Sequence, residues 1–219
     1  MKEIFSQGIV EKTAYLNWRT NRHDHIQNML VIADGFRDSA LLLVKELLKD
    51  NTTKRADNII FPVLFNANHS IEVYLKAICW TQNLLLGNGD DFDGNHNLKS
   101  LFNKVVESEH KLNPQSDNTT FMGMLSKLDA YIVELYGNIE RTVNRNGKDK
   151  IIHDITFCRY TLSNDMEPQF YINTFENVVV DLENFLEVFK EIFDNLRSLS
   201  MHYQVQLEGK LEAQYEGSE

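Results

Sequence analysis

IIFPVLFNANHSIEVYLKAICW, residues 59–80, is the stretch that decides the fold. At a helical advance of about 100° per residue, Ile60, Leu64, Ala67, Ile71, Tyr74, Leu75 and Ile78 fall on one broad side. This is a core stripe of about five turns, as expected of the central helix of an all-α domain. His69, Glu72 and Lys76 follow i, i+3, i+7 spacing and share a different face. Such a helix is either a surface helix, with Glu72 and Lys76 an ordinary i,i+4 pair, or one wall of a polar site.

Working outward, the spacing of Met29, Ala33, Phe36, Ala40, Leu43 and Leu47 predicts a preceding helix over residues 24–49, capped by Asp24. DNTTKRAD (50–57) is a loop, and the central helix starts between Asn58 and Pro62, with the proline in its first turn. It stops near Gly87. Helices follow over 96–112 and 120–136. The segment 137–168 is irregular; IIHDITFCRYTL can form a short strand paired with QFYIN across the SNDMEP turn. Phe175, Val179, Leu182, Leu186, Phe189, Phe193 and Leu196 extend a last helix over 173–200. The expected fold is all-α: a four- to five-helix up-and-down bundle with a short β-hairpin before the last long helix. The bundle takes residues 24–202, between an N-terminal extension (1–23) and an acidic tail (203–219) that frays or docks on a partner.

The chain of 219 residues is long enough for one good core. No apolar run approaches the ~20 residues of a membrane span, and the first residues lack the pattern of a secretory signal. The chain is therefore expected to stay in the cytoplasm. A net charge of −10 argues against broad phosphate neutralisation and leaves room for a small basic site. Cys79 and Cys158 stand far apart outside any CxxC pair, which speaks against a disulfide or zinc site.

No phosphate-binding loop, nucleophile elbow or zinc-protease motif is present. GNGDDFDGN (87–95) superficially suggests a calcium loop. With Gly94 at the sixth position, Gly89 falls at the first and Ser100 at the twelfth, where ligands are required. It reads as a helix stop. In RTNRHDH (19–25), His23, Asp24 and His25 are adjacent and point apart on a helix, which is poor metal spacing. No metal or cofactor is expected.

FPVLFNANHSIEVYLKAICW, followed by NHNLKSLF and later by Arg159-Tyr160, resembles the HEPN superfamily of prokaryotic helical domains. The matching residues are His69, Glu72, Leu75, Lys76 and Ala77, then His96 and Leu98, then Arg159 and Tyr160, within about residues 25–200. The resemblance implies a helical bundle, often a homodimer. It also implies a metal-independent ribonuclease of toxin–antitoxin, abortive-infection or CRISPR-linked defence, with RNA as substrate and a nucleotidyltransferase-like antitoxin as a partner. The family's diagnostic element is an Arg followed, after four to six residues, by a His. Histidine moves protons near neutral pH, and arginine holds phosphate in bidentate fashion.

Here the best match in the expected position is Arg145-Asn146 with His153, the candidate catalytic pair. Seven residues intervene, one more than the element allows, and Arg159 follows His153. Arg19 to His25 has the right length but precedes the first bundle helix. A second candidate site gathers His69, Glu72, Lys76, His96 and Arg159 at one end of the bundle. Its bland counterpart has His96 capping its helix and Arg159 bridging Glu72. Two functional readings stay open: a ribonuclease, and a non-catalytic HEPN-like module that binds a protein, a nucleotide or RNA.

Overall fold

The structure is a computed structural model describing residues 3–89, 94–145, 148–153, 155–163, 166–172 and 174–216; the side chains of 143–145, 148, 150 and 152 lie outside that description. Among the described residues, the chain folds as a five-helix bundle with one two-stranded hairpin ahead of the last helix. The helices are α1 (His25–Lys49), α2 (Ala56–Leu86), α3 (Leu98–Leu112), α4 (Thr119–Ile139) and α5 (Leu182–Glu216). The strands β1 (Glu140–Arg145) and β2 (Lys148–His153) pair antiparallel, and a 3-10 turn, Ile155–Cys158, follows them.

Helix α2 is the axis. Every residue from Ser70 to Cys79 is buried, so its neighbours α1, α3 and α5 wrap it on all sides. The expected stripe does form the core: Ala67, Ile71, Tyr74, Leu75 and Ile78 are fully withdrawn from water. Around them pack Ala33, Ala40 and Val44 of α1, Leu98 and Leu101 of α3, Leu128 and Ile132 of α4, and Phe193 and Leu196 of α5. Each fully buried Leu, Ile or Phe contributes about 1.5–3 kcal/mol.

Caps set the helix ends. Asp24 accepts from the Gln27 N–H at 2.8 Å, as the sequence predicts. At Gly87 the φ of 74° lets the chain turn left-handed, and the N–H of Asn88 closes on Asn83 O at 3.0 Å. The helix stop expected there is present; residues 90–93 of the supposed calcium loop lie outside the described residues.

Four expectations need correction. Helix α2 begins at Ala56, whose N–H donates to Asn51 Oδ1 at 2.9 Å, so Pro62 stands in the second turn and not the first. The strand IIH does not pair with QFYIN; its partner is β1, with Glu140 opposite His153. The chain still folds back across the Ser163–Pro168 turn, as an isolated bridge between Leu162 and Pro168. Helix α5 begins at Leu182, because Asp181 caps it by accepting from Glu183 N–H at 2.9 Å and Asn184 N–H at 3.1 Å. Phe175 and Val179 therefore stay outside the helix and exposed. The tail beyond Tyr203 is helical through Glu216, and Lys210 Nζ donates to Leu84 O and Leu85 O, each at 3.0 Å. Among the described residues, no helix is long and apolar enough to cross a membrane.

Candidate ligand-binding site

The His/Glu/Lys stripe of α2 faces the protein and not the solvent. Glu72 is 7% exposed and Lys76 4%. A lone carboxylate at that depth would be expensive. Three donors converge on it: Lys76 Nζ donates to Oε1 at 2.9 Å, His96 Nδ1 lies 2.9 Å from Oε1, and His69 Nδ1 lies 3.9 Å from Oε2. Burial pushes the Glu72 carboxyl up; the neighbouring His69 and the hydrogen-bonded Lys76 and His96 outweigh it and hold the group at about 2. Glu72 is therefore ionised near neutral pH and can only accept. The proton between it and His96 then sits on Nδ1, and in the neutral form of the ring Nε2 is the acceptor.

His96 reaches Glu72 because it is not the cap of α3. Asn97 takes that role, accepting from the Ser100 N–H at 2.9 Å. The His96 ring is 74% exposed, anchored at one end and open at the other. His69 sits in an aromatic wall, stacked on Phe65 at 5.8 Å and met edge-on by Phe36 at 4.4 Å. Arg159, just past the 3-10 turn, lays its guanidinium over the Phe65 ring at 5.5 Å. Among the described residues no carboxylate lies within ion-pair distance of Arg159, so the bridge to Glu72 offered by the bland alternative is not formed.

These groups enclose a cavity of about 340 Å³ lined by Phe65, Asn68, His69, Glu72, His96, Ile155, Thr156 and Arg159. Four of the five residues of the second candidate site line it. The fifth, Lys76, is buried one turn along α2 and neutralises Glu72 from behind. Arg159 and the two imidazoles are the groups that an incoming anion would meet.

Sequence reasoning missed Asn68 and Phe65. Asn68 is 4% exposed; its Oδ1 accepts from Tyr131 O–H at 2.6 Å, and its Nδ2 finds no hydrogen-bond partner among the described residues. Phe65 stands one turn before His69 and Asn68 one turn before Glu72, each at i,i+4 spacing on the helix, which was the available signal. Cys158 lies close by, its thiol pushed up to about 12 by burial. Neither cysteine is joined in a disulfide.

Arg145 and His153 occupy the two ends of the hairpin. Arg145 pairs with Lys148 and His153 with Glu140, so five residues of strand rise, about 17 Å, separate their positions. The Arg145 side chain lies outside the described residues. His153 stands at the base, its Nδ1 3.5 Å from Glu140 Oε2 and its ring 5.2 Å from that of Tyr136. The Tyr136 hydroxyl donates to Asn97 Oδ1 at 2.9 Å, next to His96. His153 is thus linked toward His96 through Tyr136 and Asn97, but it is not among the residues that line the cavity.

In the RTNRHDH segment, Asp24 is spent on its cap and His25 stacks on Trp80 at 6.4 Å. Among the described residues, no group of three His, Cys, Asp or Glu side chains is placed to hold a metal ion. No family model, no curated protein and no solved structure matches the chain.

Proposed function

We propose that the chain is a HEPN-like protein of a bacterial defence or toxin–antitoxin type that engages RNA at the Glu72 cavity and acts as a metal-independent ribonuclease. The observation that carries this reading is the convergence of His69, His96 and Arg159 around one buried, ionised carboxylate. Two imidazoles can take and give protons, and a guanidinium with no carboxylate at ion-pair distance among the described residues can hold a phosphate. The HEPN resemblance adds RNA as substrate, a homodimer as the working form and a nucleotidyltransferase-like antitoxin as partner.

The test is binding of a fluorescein-labelled single-stranded RNA in EDTA, followed by anisotropy. Arg159→Ala should weaken binding about tenfold, the equivalent of about 1.4 kcal/mol. Equal affinity of the variant and the parent would overturn the reading.

A second reading is a non-catalytic HEPN-like module that binds RNA, a nucleotide or a partner protein. The separation of Arg145 from His153 along the hairpin favours it, as does the net charge of −10. Binding without any strand cleavage would select this reading.

A further inference from the structure

The ribonuclease reading leaves the catalytic groups to be assigned, and the hairpin pair is a poor choice within one chain. Combined side-chain reach falls short of the roughly 17 Å of strand between the Arg145 and His153 positions. The cavity has no such gap. We infer that catalysis belongs to the cavity of a single chain, with His96 as general base, Glu72 as the residue that positions it, His69 as general acid and Arg159 as the phosphate clamp.

The assignment rests on one contact above all. Glu72 Oε1 lies 2.9 Å from His96 Nδ1, across 24 residues of sequence. Glu72 is fixed in turn by Lys76, with both side chains buried, so this carboxylate cannot swing away. A carboxylate that holds Nδ1–H of an exposed imidazole fixes the ring's tautomer and aims a basic Nε2 outward. A purely structural ion pair would gain nothing from leaving the ring 74% exposed at the mouth of a cavity. The second imidazole lines the same space, with its Nδ1 turned toward the other oxygen of the same carboxylate at 3.9 Å.

The step balances with these groups alone. His96 Nε2 takes the proton of the ribose 2′-hydroxyl. The 2′-oxygen forms a bond to phosphorus as the bond from phosphorus to the 5′-oxygen breaks. That oxygen leaves with a proton from protonated His69. The products are a 2′,3′-cyclic phosphate and a 5′-hydroxyl. Arg159 carries the charge that builds on the phosphoryl oxygens. Proton exchange with solvent resets the two rings.

This inference rests on the ribonuclease reading, and the experiment separates the two. The full chain is incubated with an end-labelled RNA of mixed sequence in EDTA, beside the same sequence as DNA. The RNA should be cut to fragments with 2′,3′-cyclic phosphate ends and the DNA left whole. His96→Ala should lower kcat/KM by about 100-fold or more, and added imidazole should restore part of it. Because that ring is mostly in water, the variant should keep the parent's circular dichroism. Glu72→Gln should lower kcat with KM within about twofold, the mark of lost positioning. A parent chain that leaves RNA intact overturns the ribonuclease reading and this assignment together. A parent that cuts, with His96→Ala cutting equally well, overturns the assignment alone. Cleavage of the DNA, or a Glu72→Gln variant changed only in KM, contradicts the mechanism.

Discussion

Lys76 Nζ and Glu72 Oε1 lie 2.9 Å apart, one helical turn from each other, with both side chains withdrawn from water. On a solvated helix this i,i+4 pair would contribute about 0.2–0.5 kcal/mol. Burial changes its meaning. Removing the lysine strands a carboxylate that two imidazoles only partly compensate. Lys76→Met should therefore cost about 3–5 kcal/mol, measured by urea unfolding. A loss below about 1 kcal/mol would place the pair in a wetter setting than its burial indicates.

The same carboxylate dictates an acid dependence. Its folded value of about 2 lies below the ordinary 4.5. A depressed carboxyl contributes stability that is complete above 4.5 and is lost as pH falls from there to about 2. The size is about 3 kcal/mol on an order-of-magnitude scale. Unfolding free energy measured between pH 6 and pH 2 should fall over that window. In Glu72→Gln the slope should be shallower by this contribution; an unchanged slope would contradict the account.

Asp181 sets where the last helix begins. Its Oδ1 accepts from two N–H groups, at 2.9 and 3.1 Å, that otherwise have no partner in the first turn of α5. Asp181→Ala should cost about 1 kcal/mol and speed amide exchange at Glu183 and Asn184. Asp181→Asn should recover most of the loss.

Lys210 ties the end of α5 to the end of α2. Its ammonium reaches two carbonyls of the last turn of α2, Leu84 O and Leu85 O, each at 3.0 Å. Lys210→Ala should leave the melting temperature almost unchanged, because the contact lies at the edge of the core. It should raise hydrogen exchange over residues 204–216. Equal exchange in both proteins would mean that the tail helix holds without this contact.

The helices were legible where periodicity and caps agreed. Ile71, Tyr74, Leu75 and Ile78 read as one buried face, and Asp24 read as a cap. The start of α5 was misread because Phe175 and Val179 keep helical spacing with Leu182. Val178, Val179 and Val180 are three β-branched residues in a row, which resist helix, and Asp181 is the cap that follows them. The hairpin itself was expected, but its pairing was misread for want of a turn signal that was in plain sight: Asn146-Gly147 is the dipeptide preferred in two-residue loops, and β1 and β2 flank it in sequence. At the site, the face shared by His69, Glu72 and Lys76 followed from spacing alone. Burial of that face did not, because it depends on which helices surround α2. Spacing placed Phe65 below His69 and Asn68 below Glu72, but their significance comes from Tyr131 and Arg159 arriving from distant segments.

The central claim is that His69 and His96 meet an RNA phosphate at the Glu72 cavity. Histidine-selective NMR during titration with a short RNA tests it most directly. The ring signals of His69 and His96 should move together with increasing RNA, while those of His110 on α3 and His202 on α5 stay in place. Movement of His110 or His202 with His69 and His96 silent would contradict the account.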